Sequence, residues 1–351
     1  MSLKSLIIKS SPYLVHTGIH NLTGLFYRGI GHILNFHRII PKQARQRIHQ
    51  NSMYELTPDY FSDIVDYFVK KKYIFPKLTE LQDLLRTGSK QKFVIFTFDD
   101  GYRDNLEFAY PILKKFNIPM TIYCVVNFIE RKSLLWWNIL EDVILKHKTL
   151  KLKLNNIDNT FNCNNFSEKA DTFRRIHNFL NDEQSPDFEE NIGNICKFIN
   201  KNPYEYTSEL ILSKEDLIEV FNEELIEIGS HSVSHKNLSK LSEIDARYEI
   251  TESKTYLEQL CNKPINHFAY PYGSRRHAGS REFEYANQAG YQTAVTTRQA
   301  NIFNEHSKHL FALPRIEITS HWERFGAKKT LDYLIGLNPM IYNKFQKFVT
   351  K

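Results

Sequence analysis

The chain has 351 residues, 42% of them hydrophobic and 25% charged, so it is long enough for one large α/β domain and apolar enough to fill a core. Its formal net charge of +6 is spread too thinly to mark a nucleic-acid binder. The scattered cysteines Cys124, Cys163, Cys196 and Cys261 contain no C-x-x-C pair, which argues against a cysteine zinc site and against a disulfide framework.

Residues 1–30 read as a helical preamble, with Leu3, Leu6 and Ile7 on one face and Leu22, Leu25 and Phe26 on another. Lys4 and Lys9 flank only a short apolar patch that Pro12 interrupts, so no signal peptide is expected. No run of ~18 apolar residues predicts a spanning helix, and a cytoplasmic location follows as the expectation. "HILNFHRI" (His32 to Ile39) predicts a first buried strand. A helix follows, capped by Thr57, with Phe61, Ile64, Val65 and Phe68 at helical spacing. "KFVIFTFDD" and "PMTIYCVV" predict the next two strands, separated by the helical "NLEFAYPILKKFN".

Residues 131–214 break this rhythm and predict a mainly helical insertion, in which "NNIDNTFNCNN" (Asn155 to Asn165) reads as a polar loop. The alternation then resumes. "LIEIGSHS", "INHFAYPYG", "YQTAVTT" and "ALPRIEI" read as strands, and a long helix starts at Ser242 and Asp245, which stand at capping-box spacing. Strands alternating with helices predict a parallel sheet, and their number fits a closed barrel better than an open one. This unit occupies 31–320. A tail at 321–351 carries Ile341, Phe345 and Phe348 on one helical face, with Lys344, Lys347 and Lys351 elsewhere. Such a tail packs on the body or lies on a membrane surface.

In parallel α/β domains reactive groups gather at the carboxyl ends of strands. Three predicted strands end in such groups: Asp99-Asp100, then His231 and His235 in "GSHSVSH", then "YPYG" at 270–273. Two imidazoles and one carboxylate bind a divalent cation and leave positions open. Zn2+ is the first expectation, and the same set suits iron, cobalt or nickel. One acid of the pair would hold the cation and its neighbour would accept a proton from water whose pKa the cation lowers towards ~7. Adjacent strand residues face opposite ways, so a turn at Gly101 must bring both acids inward.

In this order, "TFDDGY", "HSVSH" and "FAYPYG" resemble the motifs of the polysaccharide deacetylase family, the NodB-homology or carbohydrate esterase family 4 enzymes. "LNFHRI" is similar to the family's early Y-H-R strand, and "YPILKKFNIPMTIYCVVNFI", "LLWWNILE" and "GYQTAVTT…LPRIEI" extend the resemblance over residues 31 to about 320. The resemblance implies a distorted parallel (β/α) barrel of about seven or eight strands. It implies Asp99 as general base, Asp100, His231 and His235 as metal ligands, and the backbone N–H of Tyr272, after Pro271, as oxyanion donor.

Two departures stand out. The family's arginine two residues before the motif proline is replaced by Ala269, so either Arg315 in "LPRI" supplies a charge partner instead or the base is tuned differently. No "LxxH" supplies the general acid, for which His321 and His37 are the candidates. Trp136 and Trp137 serve either to stack on a sugar or to anchor the insertion, and Arg275, Arg276 and His277 read as a solvated loop.

The implied activity is metal-dependent hydrolysis of N-acetyl groups on an amino-sugar-containing saccharide, a cell-surface polysaccharide or its lipid-linked precursor, with release of acetate. Alternatives on the same fold are hydrolysis of O-acetyl esters or of non-sugar, including cyclic, amides, and a saccharide-binding relative without turnover. The expected partners are a saccharide and, peripherally, the inner membrane face; no nucleic acid or protein partner is implied.

Overall fold

The computed structural model describes residues 17–43, 46–88, 91–182 and 188–338. Seven short strands pair in parallel and close on themselves: β1 (Gly31–Phe36), β2 (Phe93–Phe98), β3 (Met120–Cys124), β4 (Ile226–Ser230), β5 (His267–Ala269), β6 (Thr293–Gln299) and β7 (Leu313–Glu317). Neighbours in chain order are neighbours in space, and β7 returns to β1 through the pairs Leu34–Ile316 and Asn35–Glu317. Parallel pairing needs a long return between strands. Helices such as Pro58–Lys70, Glu243–Cys261 and Ser280–Gln288 supply it.

The fold is therefore the distorted (β/α) barrel that the sequence predicts. Its distortion lies at β5, held to β4 by the pair Ser230–Phe268, and at a register break in β6 between Val295 and Gln299.

Alternation along the strands sorts the core into two layers. Ile33, Phe93, Ile95, Tyr123, Ala269, Val295 and Leu313 fill the barrel interior. Leu34, Phe36, Phe96, Phe98 and Ile122 point outward into the helical shell. The same period of two carries the inward columns on to residues 37, 99 and 317 at the carboxyl-end mouth. Caps start the helices where expected. Thr57 Oγ1 accepts from the Tyr60 N–H at 3.3 Å, and Ser242 Oγ accepts from the Asp245 N–H at 3.1 Å.

Between β3 and β4 the chain builds a satellite with its own core, including Trp136, Ile139, Phe173 and Ile192. Its helices are Trp136–Lys146, Phe166–Asp182, Phe188–Cys196 and Tyr204–Leu210. The polar stretch after Asn155 is not a loop: Thr149–Leu154 and Ile157–Asn162 form an antiparallel hairpin. Asn155 and Asn156 adopt φ of 46° and 61°, as a tight hairpin turn requires. Leu150, Leu152 and Leu154 are buried while the intervening residues are exposed, so one strand carried a readable alternation. Its partner buries only Phe161, which hid it.

Before the barrel lies helix α1 (Ile19–Tyr27). The expectations for Leu3, Leu6 and Ile7 and for Ile341, Phe345 and Phe348 lie outside the described residues. No helix among the described residues is long and apolar enough to cross a membrane.

Candidate active site

The turn after β2 presents both acids. The ladder continues to Asp99, whose N–H donates to Phe36 O at 2.9 Å. Asp100 and Gly101 then both adopt φ of 73°, which reverses the chain and turns the second carboxylate back toward the mouth. Both aspartates are buried. The end of the insertion braces this turn, with Leu212 N–H donating to Gly101 O at 3.0 Å and Arg103 N–H to Leu210 O at 2.8 Å.

The histidines converge by a different route from a helical turn. Ser232 and His235 have φ of 70° and 57°, and the loop after β4 folds back so that both Nε2 atoms face Asp100. His235 Nε2 lies 3.4 Å and His231 Nε2 3.6 Å from Asp100 Oδ1. His231 Nδ1 donates to Ala269 O at 2.7 Å, which fixes the ring and leaves Nε2 as the free ligand atom. Asp100 Oδ1 is buried with no hydrogen-bond partner among the described residues.

The residues fit a cation. Burial holds both imidazoles below their ordinary range and so neutral, as ligands must be. Burial and then the charge of Asp99 push the Asp100 carboxyl up to about 8, so this site lacks a positive charge that a divalent ion supplies.

Asp99 stands in contrast. Arg315, fully buried on β7, donates from Nη1 to Asp99 Oδ1 and from Nη2 to Asp99 Oδ2, both at 2.7 Å. Its Nε donates to Thr296 O at 3.0 Å, and its guanidinium lies 5.7 Å over the Tyr123 ring. Burial would raise the Asp99 carboxyl, but Arg315 holds it well below the usual range. The positive partner that the resemblance places at position 269 is thus delivered from β7, while Ala269 packs in the barrel interior.

Tyr272 has φ of 61°, an uncommon value for a residue with a side chain, and is followed by Gly273 at 53°. Its carbonyl accepts from Thr297 Oγ1 at 2.7 Å. Its backbone N–H makes no hydrogen bond among the described residues. The Tyr272 ring stands 5.0 Å from that of His235, and buried Pro271 precedes it.

The two candidate acids part company. His37, at the end of β1, is under the electrostatic influence of Asp99, Arg315 and His231, and burial lowers it to about 4. His321 sits exposed in the turn Ser320–Phe325, within 3.0 Å of Arg324 Nη2 and beside His49, away from the aspartates. Trp136 is buried in the satellite core and Trp137 is half-buried beside His235, its Nε1 donating to Tyr102 OH at 3.3 Å. Both border a cleft of about 390 Å³ that runs from His235 and Tyr272 under the satellite. Arg275 and Arg276 are exposed, as read from the sequence.

The sequence reading missed Glu317 and Tyr54. Glu317 follows Arg315 by two residues on β7 and so shares its inward face, the signal that would have found it. Burial and Asp99 push its carboxyl up to about 7 against the opposing pull of Arg315. The charge of Glu317, then burial, raises Tyr54, whose ring lies 4.7 Å from that of His37.

An acid raised on folding binds its proton more tightly in the native state. Its charge therefore costs stability as pH climbs from its unfolded value near 4.5 to about 7. Glu317→Gln is expected to remove that slope. At pH 8 it should gain about 2 kcal/mol over the wild type after allowance for solvent screening, with no gain at pH 4, as measured by urea titration.

The mouth of the parallel barrel thus gathers two acids, two imidazoles and a buried arginine. A family model describing polysaccharide deacetylases matches residues 86–294, and the chain belongs to that family. Among solved structures it resembles the Streptococcus pyogenes deacetylase PplD in complex with acetate, at 19% identity over 86% of this chain and 97% of that one, with a TM-score of 0.55. IcaB from Ammonifex degensii gives 16% identity over 88% and 97%, with a TM-score of 0.53. At these identities the likeness is one of fold. The Bacillus subtilis (strain 168) protein YxkH, which carries a polysaccharide deacetylase name, is 40% identical over 57 residues, 16% of this chain. That match spans 20% of YxkH.

Proposed function

We propose that this chain is a metal-dependent deacetylase that hydrolyses N-acetyl groups on an amino-sugar-containing saccharide and releases acetate. The observation that carries the reading is the division of labour between the adjacent acids. Asp99 is locked to Arg315, and Asp100 is orphaned between two neutral imidazoles. In this reading residues 31–320 form the catalytic barrel, and the insertion at 131–214 walls its cleft.

Asp100, His231 and His235 would hold the cation, most simply Zn2+. When bound, the cation polarises the acetamide carbonyl and acidifies water. Asp99 takes the proton of the attacking water. Its carboxylate stays ionised at every working pH because Arg315 keeps it so. The open N–H of Tyr272 is a fixed donor for the oxyanion of the tetrahedral intermediate, and Pro271 and Trp137 bound the sugar. Burial keeps the His37 imidazole neutral at rest, so it serves by relaying to the departing amine the proton that Asp99 has taken from water.

His37→Ala is expected to lower kcat by about 100- to 10,000-fold. His321→Ala should stay within about threefold of wild type, because a surface residue away from the site moves little. Steady-state kinetics on one N-acetylated oligosaccharide separates the two. The reading itself is tested with matched N-acetyl and O-acetyl saccharides. Acetate appearing in step with free amine supports it, and turnover confined to the esters overturns it.

A further inference from the structure

A ladder of buried charges that the reaction does not use runs from the barrel mouth into the satellite. Arg38 donates from Nε to Asp104 Oδ2 at 2.8 Å and from Nη1 to Glu55 Oε1 at 3.1 Å. Arg47 donates from Nη1 to Glu55 Oε2 at 2.6 Å, and from Nε and Nη2 to the two oxygens of Glu141, both at 2.8 Å. Ile48 N–H and Asn51 Nδ2 also donate to Glu141, which stands on the satellite helix Trp136–Lys146. The five charged side chains are only 1% to 11% exposed. At that depth salt screens little, and a member left without its partner is destabilising.

The ladder grips His37 at two places. Asp104 Oδ1 accepts from Ile39 N–H at 3.0 Å and from Asn105 Nδ2 at 3.2 Å, and the same Asn105 Nδ2 donates to His37 O at 2.8 Å. That fixes the backbone. The ring is held by Tyr54, the neighbour of Glu55. The two rings lie 4.7 Å apart, inclined at 48°. Tyr54 is itself pinned. Arg38 N–H donates to Tyr54 O at 3.1 Å and Ser320 N–H to Met53 O at 2.9 Å, while Arg38–Ile39 and Glu55–Leu56 pair as short parallel strands. The His37 ring makes no hydrogen bond among the described residues, so packing against Tyr54 sets its angle.

We propose that Tyr54 is a positioning residue for His37, and that the ladder, anchored at Glu141 in the satellite, holds Tyr54 in place. An imidazole that relays a proton works only while its ring keeps one orientation. The proposal rests on the role given to His37 above. It also makes the satellite more than a wall of the cleft: Glu141 lies 94 residues beyond Arg47 in the chain, yet supports the proton-transfer group through it.

The test is steady-state kinetics on an N-acetylated oligosaccharide in the wild-type and His37→Ala backgrounds. Tyr54→Ala is expected to lower kcat at least about tenfold with KM within about twofold. Tyr54→Phe keeps the ring and should stay within about twofold of wild type in kcat. Arg47→Met/Glu141→Leu removes one charge of each sign, strands neither, and should lower kcat at least about threefold with KM unchanged. In the His37→Ala background none of these changes should lower kcat further, because residues that act through one group are not additive. A general loosening of the fold would lower kcat in both backgrounds. Equal losses in both backgrounds, or wild-type kcat in Tyr54→Ala, would overturn the proposal. Wild-type kcat in His37→Ala alone would instead overturn the role of His37, and the proposal with it.

Discussion

Asp99→Asn should fold, lose stability by about 3 kcal/mol and lose acetate release by at least about 1,000-fold. The two losses have different origins. Arg315 is 0% exposed and directs both terminal nitrogens at the Asp99 oxygens, so neutralising Asp99 strands a positive charge in the barrel interior. Removing that charge as well, in Asp99→Asn/Arg315→Met, should return most of the stability and none of the activity. Urea denaturation and acetate release, measured on the same three proteins, read the two effects apart. Recovery of activity in the double variant would mean that Asp99 is a structural anion and not the base.

Removing the cation should be as damaging and fully reversible. Chelation should abolish turnover, and Zn2+, Co2+ or Ni2+ should restore it in the wild type but not in His235→Ala. The metal-free site also makes a proton prediction. Burial and Asp99 set the Asp100 carboxyl at about 8 without metal, so at pH 7 it holds a proton that an incoming cation must displace. Binding should release close to one proton per chain at pH 7 and weaken about tenfold for each unit of pH below about 8. Calorimetry in two buffers of different ionisation enthalpy measures that proton. Metal binding with no proton release would show that Asp100 is already ionised in the metal-free site.

Much of this site was legible because strand ends are local. An apolar run that stops in Asp99-Asp100, and another that stops in a pair of histidines, locate the mouth of a parallel barrel without knowledge of its closure. The caps at Thr57 and Ser242 are local too, and both form.

What was not legible depends on closure and on backbone reversals. Arg315 meets Asp99 across 216 residues, and only the β7–β1 pairing brings them together. The same closure carries Glu317 to the mouth and gives His37 its charged surroundings, while the chain after β7 turns His321 outward to Arg324. His231 and His235 have the spacing of a helical turn, yet it is positive φ at Ser232 and His235 that makes them converge. The hairpin at 149–162 escaped notice because its second strand faces water on nearly every residue.

The measurement that tests the account most directly is acetate release, by proton NMR, from N-acetylated amino-sugar oligosaccharides. Metal-replete wild type, chelated wild type and Asp99→Asn are compared side by side. The account predicts acetate and an equal quantity of free amine from the first alone. A protein carrying one tightly bound cation per chain that releases no acetate from any N-acetylated saccharide would contradict it.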